Sequence, residues 1–532
     1  MPRVGIFGWG VVAPRSPDID AFARNLESVE SWLTPFHGFG PDNFLVGEPE
    51  FDLGEYRDWI TRRFSPNRFR QIDEKMDPST KYAIGAFVQA LQQNPGLEEV
   101  LQELGTQAHV YVGTGLGSLP THSQQTLSLY RAQRRWNRFW AHPVRNSALR
   151  EYRADGAGGN TSEVPADPDS VDDNLRDEAE ERWWQYWAAR SPELQRYLAD
   201  VRAIEDTQIE GDIETAKLRV IREKRRLHAR LKQKWGAPEP PWEVVSAEVI
   251  WNIPNTPASQ ISMLGRIVGP AFAPVAACST FGVALKLSLD AIQRGEARAV
   301  VVGATDPPPH PLTVGAFYNA RVAAADGQPS KPLTRLRGAH VAGGSVLWIV
   351  GDHALMTAKG FRPLGMEPLA VGVTADADHI ITPSRQGPTR AVRSAMEDAG
   401  VAPESIATWD LHATATPGDY MEVETLCSLF PGSLLVTARK GTFGHGMSAG
   451  GGWELTAQYL GFERGRIYPT PLARDELHSE IRKLHQRFVF DTENEARGVA
   501  GKLSMGIGGI NACVVSRAWH DGSPKKETAL ET

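Results

Sequence analysis

The chain has 532 residues, with 57 lysines and arginines against 64 aspartates and glutamates, a net charge of −7 and 41% apolar residues. That content can bury a large core, and the mildly acidic balance excludes a dedicated nucleic-acid binder, which carries a basic footprint. Three cysteines, Cys278, Cys427 and Cys513, are too few for a disulfide framework, so a reducing compartment is expected.

The first residues, MPRVGIFGWGVVAPRS, hold one short apolar run without the long hydrophobic region of a signal peptide. Nowhere does an apolar stretch reach the roughly 18 residues of a membrane span. A cytoplasmic protein without membrane partners is therefore expected. Val4–Val12 is β-branched and apolar, 79–93 has helical periodicity, and 109–114 is a short strand that closes on the glycine-rich GTGLGS, so 1–141 reads as α/β. The zone from about 142 to 244 differs. It is acidic over 151–181 and basic over 217–234. Amphipathic helices are predicted over 176–202, with Trp183, Trp184 and Trp187, and over 205–235. In the second, Ile213, Ala216, Val220, Leu227 and Leu231 share a stripe. Two such helices joined by a turn make an inserted αα-hairpin, either a solvated surface insertion or a docking element. Residues 245–520 resume the α/β texture. Strands are predicted at 299–303, 345–350, 434–437 and 513–516, between helices at 281–295, 387–399, 419–429 and 451–464. The polar stretch 521–532 is expected to be a flexible tail.

Four segments can carry chemistry. In 274–295 an apolar strand runs into Cys278 and small residues open a helix. Free N–H groups at a helix N-terminus favour thiolate over thiol, so this cysteine is expected to be activated, unless it merely packs like a small hydrophobe. In 410–424 a strand end presents His412, followed by Thr414, Thr416 and a helix with Glu422 and Glu424. In 438–460 Lys440 and His445 precede a glycine-rich loop, whose backbone can approach an anion closely. In 502–515 the run Gly506-Ile507-Gly508-Gly509 interrupts a strand pair and points N–H groups into a site. One thiol, two imidazoles and a lysine, each at a strand end or glycine turn, suit Claisen chemistry on thioesters. The cysteine takes the acyl group, the imidazoles polarise a second thioester and backbone donors hold the oxyanion.

Taken together these motifs resemble the type II β-ketoacyl-acyl-carrier-protein synthases of the thiolase superfamily. The family's nucleophile motif stands as Ala276-Ala277-Cys278-Ser279. Its first histidine motif stands as His412-Ala413-Thr414-Ala415-Thr416 with Gly418-Asp419 and Glu422, its lysine–histidine motif as Lys440 and Gly444-His445, and its terminal glycine motif as Gly506 to Asn511. The resemblance covers roughly 1–141 and 245–517. It implies an αβαβα layering of two pseudo-repeated halves, about 1–350 with the nucleophile and 351–520 with both histidines, the first half carrying the inserted hairpin. It further implies that Cys278 is acylated and that the N–H groups of Cys278 and Ile507 form the oxyanion hole. His412 and His445 would stabilise the enolate left when a malonyl thioester loses CO₂, with Lys440 and Glu422 ordering them. Thr414, Thr416, Gly508, Gly509 and Leu116 would line the substrate. No bound cofactor or metal is implied, because acyl groups arrive on the phosphopantetheine of an acyl carrier protein. A homodimer is implied too, with the basic run 217–234 a candidate contact for the acidic carrier. The family's gating Phe is Ile507 here, and Ala413 and Ile510 replace a Gly and a Thr, changes that alter walls rather than reacting groups. In relatives the insertion point lies near the acyl pocket and the dimer interface, so a role in either is open.

Other readings compete. A degradative thiolase needs a second cysteine in Cys-x-Gly-Gly, which Cys513 does not provide. A non-condensing partner subunit would have lost Cys278. The run Gly446-Met447-Ser448-Ala449-Gly450 matches the nucleophile elbow of a serine hydrolase, with Asp475 and His478 as poorly placed partners. Gly5-x-x-Gly8-x-Gly10 and GTGLGS lack the spacing of a dinucleotide site and read as sheet-edge turns.

Overall fold

The computed structural model describes residues 2–40, 43–155, 163–208, 213–485, 487–493 and 496–519, with backbone alone at 213–216. The tail expected at 521–532 and the side chains of Ile213 and Ala216 lie outside these described residues. Two compact units divide the chain: Met1–Pro120 with Ile250–Thr532, and Thr121–Val249.

In the first unit the strands fall in chain order as β1 (Val4–Val12), the two-residue β2 (Thr34–Pro35) and β3 (Leu45–Val46), β4 (Ala108–Gly113), β5 (Ala271–Phe272), β6 (Ala299–Asp306) and β7 (Gly344–Asp352). Then follow β8 (Met366–Ala375), β9 (Ile406–Asp410), β10 (Leu435–Thr437), β11 (Val499–Gly506) and β12 (Ile510–Ala518). One sheet has the order β1-β7-β6-β4-β5 and the other β8-β12-β11-β9-β10. In each, the edge strand and its two neighbours are parallel and the remaining pairs antiparallel. The strands succeed one another along the chain in the same sense, β1, β4, β5, β6, β7 against β8, β9, β10, β11, β12. The two sheets are therefore one topology used twice.

The strands buried on both faces are the near-continuous apolar runs, β1, β4, β6 and β7. Between the sheets lie the helices Thr280–Gln293 and Met447–Glu463, which touch each other and strands of both sheets. The outer faces are covered by Pro78–Gln92 and by Gln386–Ala399. The result is a five-layer αβαβα sandwich. Met447–Glu463 holds three consecutive glycines, 450 to 452, a poor helix former by propensity. Packing overrides this: a Cβ on Gly452 would stand 2.4 Å from Val346 and 2.7 Å from Phe281. Every residue of the helix from Met447 to Gly461 is buried.

The second unit corrects the two-helix expectation. It contains Leu119–Ala141, Ser147–Ala154, Arg176–Ala189, Pro192–Glu205, Ile213–Trp235 and Pro241–Val244. The predicted helix over 176–202 breaks at Ser191-Pro192, where Pro has no N–H to donate and the Ser191 hydroxyl caps Leu194. The 23-residue helix Leu119–Ala141, which the composition placed with the α/β zone, belongs to this unit from Thr121 onward. Its Trp136 and Trp140 join Trp183, Trp187 and Tyr197 in a separate aromatic core, with ring centroids 5.3–5.7 Å apart. Asn146 holds that core's helix ends, donating to the carbonyls of Trp140 and Trp187 at 3.0 and 2.8 Å. Among the described residues no helix is long and apolar enough to cross a membrane.

Candidate active site

The pseudo-repeat delivers reactive groups at corresponding strand ends. After β5 the chain reaches Cys278 in a short 3₁₀ turn, Ala277–Ser279, that feeds the Thr280–Gln293 helix. After the matching β10 it reaches Lys440 and His445, then the Met447–Glu463 helix. His412 follows β9 directly, and the β11–β12 hairpin brings in Ile507. Backbone strain concentrates here. Ala277, Ala415 and Met447 all hold positive φ, at 48°, 57° and 46°, a conformation that costs on the order of 1–2 kcal/mol in a residue with a Cβ.

The thiol and one imidazole are in contact, with Cys278 Sγ 3.0 Å from His445 Nε2. The rings of His412 and His445 stand edge to face with centroids 5.4 Å apart. The N–H groups of Ile507 and of Cys278 itself point at the sulfur. Cys278 is only 6% exposed, and burial pushes its thiol up to about 11 against the opposing pull of Lys440 and those two N–H groups. The expectation of a thiolate favoured by the helix N-terminus is thereby corrected: in this closed site desolvation outweighs the helix end. Both imidazoles are held well below their ordinary pKa, first by burial and then by Lys440 and Lys502, so both are neutral. The neutral His445 is placed to accept the thiol's proton.

Buried charge and backbone hydrogen bonds fix the site residues. Glu422 accepts from the N–H of His412 at 2.7 Å and of Ala413 at 2.8 Å. Lys440 Nζ donates to the His412 carbonyl at 2.6 Å, lies 3.5 Å from His412 Nδ1 and pairs with Glu454 at 2.5 Å. His445 N–H donates to the His340 carbonyl at 2.7 Å, and its own carbonyl accepts from Ala342. Thr414 and Thr416 share a hydroxyl contact of 3.0 Å, with their N–H groups anchored on Asp419. Gly508 and Gly509 take φ of 93° and 72°, turning the chain so that Ile507 sits on the surface, 41% exposed, above the thiol. Leu116 packs against the apolar cluster that includes Met447 and Phe36, and its N–H donates to Asp306.

Three buried groups went unread in the sequence: Asp306, Glu454 and Lys502. Their signal was a charge inside an otherwise apolar or glycine-rich segment, as in VAGKLSMG. The other cysteines pack: Cys513 is buried in β12, and Cys427 donates to the Leu484 carbonyl. Ser448 is buried and its hydroxyl donates to the Asp306 carboxylate at 2.5 Å rather than to an imidazole, which removes the hydrolase alternative. In the basic run Lys224 is already paired with Glu205, and Lys232 and Lys234 with Glu243 and Asp200.

Comparison with known proteins agrees with this geometry. Residues 227–347 match the N-terminal domain of β-ketoacyl synthases and residues 368–473 the C-terminal domain. Over 277 residues the chain is 28% identical to a 3-oxoacyl-[acyl-carrier-protein] synthase 2 of Staphylococcus aureus, covering 49% of this chain and 67% of that one. The chain thus spans about two thirds of the length of such relatives, 65% in several strains. The ishigamide ketosynthase/chain length factor superposes with a TM-score of 0.66 at 20% identity, covering 98% of this chain and all of that one. A type II PKS acyl-carrier protein in complex with its ketosynthase does so with a TM-score of 0.63 at 15% identity and the same coverage. With the cysteine in the first of these matches and both histidines in the second, the chain carries sequence of the N- and C-terminal β-ketoacyl synthase domains over residues 227–347 and 368–473.

Proposed function

We propose that the protein catalyses decarboxylative Claisen condensation between an acyl group carried on Cys278 and a malonyl unit on an acyl carrier protein, in fatty-acid or specialised polyketide synthesis. The observation that carries this is the contact of 3.0 Å between Cys278 Sγ and a neutral His445, with two backbone N–H groups facing the same sulfur.

In the first half-reaction the Cys278 sulfur attacks the thioester carbonyl of the incoming acyl group while His445 Nε2 takes its proton. The N–H groups of Cys278 and Ile507 receive the developing oxyanion, and the departing phosphopantetheine thiolate recovers the proton. In the second, with Cys278 acylated and no thiol proton left to accept, His445 carries its single proton on Nε2, exchanged through solvent, and the malonyl thioester oxygen accepts hydrogen bonds from His412 and His445. The carboxylate leaves as CO₂, and the electron pair of the broken C–C bond forms an enolate held by those donors. Its carbon attacks the Cys278 thioester, and the sulfur leaves as a thiolate that takes up one proton from solvent. Neutral imidazoles suit this role, because donors are needed where charge develops and no strong base is involved. Lys440 and Glu422 hold the histidines. Thr414, Thr416, Leu116 and the Gly508–Gly509 turn line the path of the pantetheine and acyl chain. Access to the buried thiol requires the turn carrying Ile507 to move aside, and the small Ile507 in place of an aromatic favours a specialised acyl group.

A homodimer is supported by β5, a sheet edge whose Ala271 and Phe272 are both exposed. Val268 and Val275 beside it are also exposed. An apolar open edge of this kind invites pairing. Incubation with a panel of acylated carriers, followed by intact mass, tests the reading. Wild-type protein is expected to gain one acyl mass and to release CO₂ from malonyl carrier, and Cys278→Ala to gain none. Acylation elsewhere than Cys278 would overturn it.

A further inference from the structure

Lys502 lies in the middle of β11, 1% exposed at its side chain, where a strand buried between two neighbours ordinarily takes an apolar residue. A buried ammonium survives only when paired and hydrogen-bonded. Its Nζ stands 2.7 Å from Glu454 Oε2 and 3.7 Å from Asp410 Oδ1. It also donates to the carbonyls of Leu503 at 2.7 Å and Leu411 at 3.3 Å. Two consequences follow. Glu454 is divided between two lysines, one oxygen to Lys440 at 2.5 Å and the other to Lys502, so the position of each ammonium depends on the other. The peptide units around His412 are gripped by charged side chains on every side: Lys502 on the Leu411 carbonyl, Glu422 on the N–H groups of His412 and Ala413, and Lys440 on the His412 carbonyl.

We propose that Lys502 is a positioning residue for decarboxylation: through Glu454 and the Leu411 carbonyl it sets Lys440 and the His412 imidazole in register with Cys278 and His445. Resting on the functional reading above, the proposal adds a residue that touches no substrate but on which the donor geometry depends. Without its charge, Glu454 would be drawn onto Lys440 alone, pulling that ammonium from the His412 backbone, and the Leu411 carbonyl would lose its donor. The first half-reaction relies on Cys278, His445 and the Ile507 N–H, which Lys502 does not hold, so it should be spared.

Electrostatics offers a second readout. The imidazole pair is faced by Lys502 from β11, Lys440 from the Lys440–Phe443 turn, and Glu422 and Asp419 from the Gly418–Leu429 helix. Glu454 faces it from the Met447–Glu463 helix, Asp410 and Arg439 lie behind it, and the Cys278 thiol and Asp306 close the front. Removing one cation from this set lets the imidazoles protonate more readily, so the acid limb of the decarboxylation profile should move to higher pH.

The test compares wild type, Lys502→Met, Lys502→Arg and the charge-balanced pair Lys502→Met with Asp410→Asn. Self-acylation is read by intact mass and malonyl-carrier decarboxylation by CO₂ release. In Lys502→Met the decarboxylation kcat should fall on the order of 10- to 100-fold, the loss typical of a misplaced donor, with KM and acylation within about 3-fold of wild type. Lys502→Arg should recover most of the rate. Should Lys502→Met not fold, the charge-balanced variant carries the same expectation. Decarboxylation within about 3-fold of wild type in a folded variant, or equal loss of both half-reactions, would overturn the proposal. A wild-type protein that neither acylates at Cys278 nor releases CO₂ would overturn the functional reading instead.

Discussion

Ser448 is bonded twice to Asp306, through its N–H at 2.8 Å and its hydroxyl at 2.5 Å. The same carboxylate accepts from the N–H groups of Gly115 at 2.9 Å and Leu116 at 2.7 Å. One buried group therefore ties together the end of β6, the loop after β4 and the first turn of the helix that follows His445. Asp306→Ala takes the acceptor from the buried N–H and hydroxyl of Ser448 and from the half-buried N–H groups of Gly115 and Leu116, and should lower the unfolding free energy by roughly 3 kcal/mol, measured by urea denaturation. Ser448→Ala loses one hydroxyl bond, about 1 kcal/mol, and should keep condensing activity. A serine-directed phosphonate should leave Ser448 unlabelled.

The thiol of Cys278 is pushed up to about 11 by burial. Its alkylation by iodoacetamide should therefore climb about tenfold per pH unit from pH 7 to beyond 9, since only the thiolate reacts. A plateau at neutral pH would show a thiolate already formed and would contradict the closed-site electrostatics.

Glu422 is buried and its carboxyl is raised to about 7 from 4.5, chiefly by desolvation, against the N–H groups of His412 and Ala413 and the charge of Lys502. An acid raised in the folded state gives stability that is full below its unfolded pKa and is lost as pH rises through about 7. Glu422→Gln removes that group while Asp419, raised to about 6 in the same sense, remains. Between pH 5 and 7 the variant's unfolding free energy should fall less steeply than the wild type's, by up to about 1.4 kcal/mol per unit. Equal slopes in urea titrations at several pH values would refute this.

Phe272 is 40% exposed on the open edge of the first sheet. Phe272→Arg places a charge on that edge and should convert a dimer to monomer in sedimentation, with the fold retained in circular dichroism. An unchanged mass would argue against the proposed dimer through this edge.

For the carrier, Lys224 is a poor probe because Glu205 already holds it. Arg219, Arg222 and Arg225 are exposed on the Ile213–Trp235 helix. Their joint replacement by Glu should weaken carrier binding at least tenfold in low salt and much less in high salt, since such contacts are screened. Affinity that stays the same at low salt would exclude this helix as the contact.

The local chain determines a good deal of this protein. Runs free of polar side chains such as Val4–Val12 are strands wherever they are buried on both faces, and Cys278, His412, Lys440 and His445 announce themselves by standing at strand ends or beside glycine turns. The order of motifs also carries the family. Other features depend on distant segments meeting. The three-glycine stretch of Met447–Glu463 is helical against its propensity because the helix is packed between the two sheets, and Val346 and Phe281, about a hundred or more positions away, leave no room for a side chain at Gly452. The break at Pro192 was readable, yet the tryptophans that bind Leu119–Ala141 to the second unit were not, because a helix's partner is chosen by packing rather than by its own period. Protonation states were decided last. A helix end alone argues for a thiolate at Cys278, but only the closed fold shows how much water is excluded around it, and desolvation in that closed site outweighs the helix end. Lys502, Glu454 and Asp306 are ordinary charged letters in the sequence. They become parts of the site because the fold buries Lys502 against Glu454 and Asp410, and Asp306 against Ser448 and two backbone N–H groups, where each charge must find a partner.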